Sequence, residues 1–343
     1  MRSMKRLAVL VLGLALVAAA CGDDDGGGGN LLADVQDRGT IRCGVNDTLP
    51  GFGIVDDAGN YSGFDIDFCR VVAAAVFGDA DAVEYVPLIP ADRFTALQSG
   101  EIDLLIRNTT WTATRDGQEG ATFLFTTYFD GQGLMVREES GFTSMDDLVD
   151  ANVCVQTGTT TELNLTAVFN ARGIPFNPVV FADNTQLLPA YQEGQCDVFT
   201  SDVSQLTAFK ATIEGEGGPT QLILPEVISK EPLGPVVADG DSEWAQAVEW
   251  AVMATVQAWE FGITSSNVNG FTSDNPNVAN FLGADGFETG IGLPTDFAVQ
   301  VISQVGNYEE IYTRHLVPLG LPLDGTPNDL WLNGGLMYPP PYR

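Results

Sequence analysis

The residues best suited to chemistry cluster in one stretch, 107–116, RNTTWTATRD. It follows an apolar run, 102–106, that reads as a buried strand, and it passes through a hydroxyl-rich turn into a helix start. Asn108, Thr109 and Thr110 place side-chain and backbone donors at the end of that strand. Arg115 follows about one helical turn later, with a planar fork that can grip a carboxylate bidentately. Ligands of open α/β sheets sit outside the carboxyl ends of the strands, so this turn suits the carboxylate of a small free molecule. Taken alone, an exposed arginine beside a threonine helix cap explains the stretch equally well.

The elements that must hold this turn alternate along the chain. Residues 31–40 read as a short helix and 41–45 as a strand, with a turn over 46–63. Helical periodicity over 64–78 stops at Gly78; 83–88 is a strand, 91–100 a helix closed by Gly100, and 102–106 the next strand. Strand, helix, strand, helix, strand is a doubly wound α/β pattern. Residues 123–138, extended around Gly131 and Gly133, read as a crossing into a second such set. That set has strands at 152–158, 178–182 and 196–202 and helices at 159–173, 185–194 and 203–215. A Pro-rich return crossing spans 222–240. A long amphipathic helix follows over 242–262, whose Trp244, Trp250 and Trp259 read as core anchors rather than a cofactor box. One more helix, 296–316, precedes the tail NGGLMYPPPYR. Two crossings imply a discontinuous first lobe, 31–132 with 235–343, and a second lobe, 133–234, hinged about the crossings.

Four strand-to-helix junctions would then face one another across a cleft. The first lobe contributes Asn46 with Leu49, and Asn108, Thr110 and Arg115; the second contributes Gly158, Thr159 and Thr160, and Asp202. Arg115 and Thr110 suit an α-carboxylate, Thr160 on a helix N-terminus adds a favourable dipole, and Asp202 supplies counter-charge for an α-ammonium. Each part has an ordinary reading as a cap or tight turn. The four together, at equivalent junctions of a duplicated pattern, read as a clamp for a zwitterion that favours the closed form.

Composition and charge narrow the options further. Arg2, Lys5 and Arg6 precede an apolar run, 7–20, that ends in small residues before Cys21. That is a signal peptide over 1–21, too short for a permanent span. Cleavage before Cys21 fits a plain Ala18-x-Ala20 site or a lipoprotein site, although lipoprotein sites usually carry a larger aliphatic where Ala18 stands. The polar, Gly-rich stretch 22–30 reaches roughly 17 Å as a flexible coil and favours a tether behind a lipid on Cys21. Removing Cys21 leaves Cys43, Cys69, Cys154 and Cys196, an even number that suggests two disulfides in an exported chain. Three pairings are open; Cys43–Cys69 with Cys154–Cys196 is favoured because each bridge would lie inside one lobe. No CxxC spacing suggests zinc, and the single histidine, His315, argues against histidine-based metal or triad chemistry. With 46 acidic and 15 basic residues the net charge is −31, which argues against nucleic acid or an anionic membrane surface as partner.

Several segments carry a family likeness: GFDIDFCRVVAAAVFGD (63–79), RFTALQSGEIDLLIRNTTWTATRD (93–116), CVQTGTTTELNL (154–165), LPEVISKEPLGPVV (224–237) and LWLNGGLMYPPPYR (330–343). The sequence resembles extracytoplasmic solute-binding proteins of ABC transporters in the polar amino-acid class, with the type II periplasmic binding fold. The general L-amino-acid-binding subfamily is the nearest. The resemblance implies a two-lobed α/β protein with two hinge crossings, a ligand cleft between the lobes and an extra C-terminal helical segment. It implies Arg115 with Thr110 and Thr160 as carboxylate ligands and Asp202 as ammonium ligand. Asn46 stands where narrower-specificity relatives often carry Asp, and Leu49 where they often stack an aromatic ring, so breadth of specificity is expected. The expected partners are a free L-amino acid and ABC permease subunits, for a lipid-anchored monomer outside the cytoplasmic membrane that uses no cofactor. A periplasmic dehydratase on the same fold would need a general acid or base over the reacting carbon, and no histidine serves there. A receptor ectodomain would need a transmembrane helix or signalling domain after residue 343, and none is expected there.

Overall fold

The computed structural model describes residues 30–342. The expected signal peptide with Cys21, and all of the tether except residue 30, lie outside the described residues. Buried apolar runs build two five-stranded sheets. In the first, Val83–Pro87, Ile41–Val45 and Leu104–Leu105 run parallel; Val236–Ala238, antiparallel to both neighbours, joins Ala121–Phe123 to them. In the second, Phe176–Phe181, Ala151–Gln156 and Val198–Asp202 run parallel, and Gln132–Arg137 and Gln221–Ile223 complete the antiparallel side. The chain passes between the sheets at Tyr128–Asp130 and Glu231–Leu233, which pair as an antiparallel ribbon. The stretch 123–138 is therefore not one crossing segment: it ends one sheet, forms a hinge strand and begins the other sheet.

Two local expectations change. The stretch 46–63 is a small antiparallel meander of Thr48–Leu49, Gly53–Val55 and Tyr61–Ser62 rather than a bare turn. Burial of Leu49 and Phe52 against the first lobe holds these very short strands. The helix expected over 296–316 is two helices, Phe297–Gln304 and Tyr308–His315. Gly306 takes φ 108° between them, and Asn307 starts the second with a reciprocal capping box to Glu310. The apolar spacing runs through the break because both helices face one core.

Helix Phe64–Phe77 is apolar almost all round, the mark of a helix covered on every side. One side meets the first sheet; Ser242–Glu260, Phe297–Gln304 and Tyr308–His315 cover the other. Trp244 is fully buried, and its indole N–H donates to the Asp103 carbonyl at 2.8 Å, fixing the long helix to that sheet. Trp259 stacks on Tyr308, and Trp250 meets Tyr342 edge-on. The disulfides are Cys43–Cys69, from strand to covering helix, and Cys154–Cys196 within the second lobe. Among the described residues no helix is long and apolar enough to cross a membrane.

Candidate functional site

The strand Leu104–Leu105 ends in a sharp turn. Asn108 holds φ 32°, left-handed backbone that asparagine tolerates better than most residues, and its N–H donates to the buried Asp65 carboxylate at 2.7 Å. Thr112 then caps helix Ala113–Gln118 through the Arg115 N–H, which places Arg115 in the first turn and buried. Opposite, Gly158 turns the chain with φ 72°, and Thr159 caps helix Thr160–Arg172. A Cβ on Gly158 would lie 3.2 Å from the Ala91 Cα of the other lobe, so the walls approach closely here.

Between these turns lies a narrow polar cavity of about 20 Å³ lined by Asn108, Thr110, Thr159, Thr160 and Asp202. The lobes are closed on each other: the Thr110 and Thr160 hydroxyls are 3.3 Å apart, and Arg93 Nη2 donates to the Gly158 carbonyl at 3.3 Å. Arg115 sits just behind the wall. Its Nη1 donates to the Thr110 carbonyl at 2.9 Å, and the guanidinium lies 5.5 Å from the Phe94 ring centroid. Asn46 and Leu49 do not line the cavity. Asn46 accepts two hydrogen bonds from Thr48 and donates to Asn108 at 3.3 Å; Leu49 is in the core.

The sequence reading missed Arg93, Arg107, Gln156 and Gln205, which also line the cavity. Arg93 and Arg107 are only 3% and 4% exposed. Arg93 Nε and Gln156 Nε2 are buried donors without a partner. A signal existed, since a chain with so few basic residues places Arg107 at the head of the motif and Arg93 in a helix aimed at it.

Buried charges of both signs crowd this space. Burial, then repulsion from Arg115 and Arg107, holds Arg93 well below the ordinary guanidinium range. Arg107 is brought down to about 10 by burial, and burial lowers Arg115 as well, against the pull of Glu231 and Asp202. Burial, then Asp130 and Glu231, pushes Asp202 well above the usual carboxylate range. Asp130 is likewise pushed up to about 6, chiefly by burial. A guest carrying both carboxylate and ammonium relieves the repulsion within each set at once.

The family profile of bacterial extracellular solute-binding proteins, family 3, matches residues 41–257. The chain belongs to this family. As a family 3 protein it has relatives over nearly its whole length. The general L-amino acid-binding periplasmic protein AapJ of Rhizobium johnstonii is 48% identical, over 91% of this chain and 92% of the relative. BztA of Rhodobacter capsulatus, a glutamate/glutamine/aspartate/asparagine-binding protein, is 43% identical over 96% of each. A solved ABC transporter periplasmic binding protein from Brucella ovis with glutathione bound is 43% identical, with a TM-score of 0.87, over 92% of this chain and 100% of that one. The family 3 likeness agrees with the two-lobed fold and its extra C-terminal helices, and with an extracytoplasmic location.

Proposed function

We propose that this protein binds free L-amino acids of many kinds outside the cytoplasmic membrane and delivers them, lobes closed, to an ABC transporter permease. The observation that carries the reading is a polar cavity between the closed lobes, lined by the buried guanidiniums of Arg93 and Arg107 and the buried carboxylate of Asp202. Arg115, with Thr110 and the nearby N–H groups, takes the α-carboxylate; Asp202 takes the α-ammonium. The lobes divide as 31–132 with 235–343, and 133–234, and the protein works as a monomer held to the membrane by a lipid on Cys21.

Within that breadth, ligands whose side chain carries an acceptor bind best. Arg93 and Gln156 offer unpartnered buried donors, which favours glutamate, aspartate and their amides. The name of BztA, a glutamate/glutamine/aspartate/asparagine-binding protein, supports this order, and that of AapJ supports the breadth. Dehydratase chemistry is the competing reading, with Asp202, whose carboxyl burial shifts upward, as the candidate acid.

A thermal-shift panel of the twenty L-amino acids, with D-isomers and glutarate as controls, tests the proposal. At a hundredfold excess over Kd a ligand adds about 2.7 kcal/mol, a rise of roughly 5 °C or more. The expected result is stoichiometric binding with ligand recovered unchanged, glutamate and glutamine giving the largest shifts. No shift with any L-amino acid, or product formed from the ligand, refutes it.

A further inference from the structure

The chain beyond the family match, 258–343, packs on the first lobe and also reaches the hinge. The hinge ribbon joins Tyr128–Asp130 to Glu231–Leu233 with Phe129 opposite Pro232. Proline has no N–H to give, so the Phe129 N–H and carbonyl turn to the outer edge of the ribbon. There the Asn328 side-chain amide meets both: its Oδ1 accepts from Phe129 N at 2.7 Å, and its Nδ2 donates to Phe129 O at 3.2 Å. One side chain thus makes the two-point contact that a further strand would make.

Two neighbouring contacts come from the same extension. Tyr308 OH donates to the Thr127 carbonyl at 2.8 Å, and the Tyr312 ring stacks on Tyr128 with centroids 6.0 Å apart. The turn Val317–Leu319 then packs against helix Val203–Gly215 of the second lobe. The opposite edge of the ribbon carries the binding stretch itself, since Trp111 N donates to Pro232 O at 2.8 Å and Thr110 bridges Leu233. The hinge is therefore gripped between the ligand turn and the C-terminal extension.

We propose that the C-terminal extension is a strap on the hinge, and that Asn328 is a positioning residue for ligand binding that acts through Phe129. By fixing the first-lobe half of the ribbon it confines bending to the Asp130–Gly131 side, where the chain enters the second sheet. Loss of the amide leaves the Phe129 N–H and carbonyl free to swing, which widens the range of open forms and raises the cost of closing. The inference rests on the binding reading only for its kinetic arm.

The test uses the full chain and the variants Asn328→Ala and Asn328→Asp. Spin labels on Asp57→Cys and Asn170→Cys, exposed positions on the two lobes, report lobe separation without ligand. Stopped-flow gives L-glutamate association and dissociation, and thermal melting reports the fold. Asn328→Ala is expected to broaden the ligand-free distance distribution towards longer values. It is also expected to speed glutamate dissociation about three- to tenfold, with association within twofold. Asn328→Asp keeps the acceptor but not the donor, so it should move both readouts in the same direction by less; it carries the test if the alanine variant does not fold. An unchanged distance distribution in a folded variant overturns the proposal, whatever happens to affinity. A wild-type protein that binds no glutamate refutes the binding reading instead, and the distance measurement still decides the strap.

Discussion

Replacing Arg93 by Met should stabilise the ligand-free protein while weakening its grip on acidic ligands, and the opposed signs make the test sharp. Arg93 is 3% exposed; among the described residues its Nε has no partner and its one hydrogen bond, to the Gly158 carbonyl, is long at 3.3 Å. Burial and two neighbouring guanidiniums disfavour its charge. Replacing whole buried ion pairs by apolar groups of similar volume is often neutral or stabilising by roughly 1–4 kcal/mol, because the desolvation penalty disappears; Arg93 carries that penalty with only Asp202 and Glu119 to offset it. The lost hydrogen bond returns about 1 kcal/mol of that. A net gain of about 1 kcal/mol corresponds to a melting temperature roughly 2 °C higher. Binding moves the other way. Removing one partner of a desolvated charge pair costs about 2–5 kcal/mol, or roughly thirty- to several-thousand-fold in affinity. Calorimetry with L-glutamate should show that loss, whereas L-alanine, with no side-chain acceptor, should lose less than about tenfold. Glutamate affinity within twofold of wild type would remove Arg93 from ligand contact. A destabilised ligand-free protein would show that its charge is compensated after all.

Three further predictions follow from the same geometry. Arg115→Ala should cost all L-amino acids about 2–5 kcal/mol of binding because it strips the α-carboxylate of its partner; near-native affinity by calorimetry would refute that role. Asp202→Asn should weaken L-glutamate far more than glutarate, which lacks the ammonium, and equal losses would take Asp202 out of the ammonium site. Asp65 is pushed up to about 7, burial outweighing the Asn108 N–H and the Arg107 charge. A carboxyl raised above its unfolded value holds its proton more tightly when folded, so its contribution is fully present below about pH 4 and is lost as pH rises through about 7. The melting temperature should therefore fall from pH 5 to pH 8, with a flatter profile in Asp65→Asn; an equal slope in the variant would assign the effect elsewhere.

The sequence alone determined the duplicated α/β pattern, because strand periodicity and helix stops at Gly78 and Gly173 are local facts. It also located the turn that lines the cavity, since a hydroxyl run between a buried strand and an arginine needs no distant partner to be seen. Only tertiary structure decided which charged groups share the cavity. Arg93 reads in sequence as one more helical arginine; packing against the second lobe makes it a buried, half-unsatisfied donor. Asn46 looked like a ligand because it ends a strand, yet its amide is engaged by Thr48 and Asn108. The single helix expected over 296–316 breaks at Gly306 because a continuous apolar stripe reports which side is buried and not whether the axis continues. The hinge contact of Asn328 has no local signature at all: it joins residues 199 positions apart, and only the folded ribbon shows that Phe129 has an edge to be met.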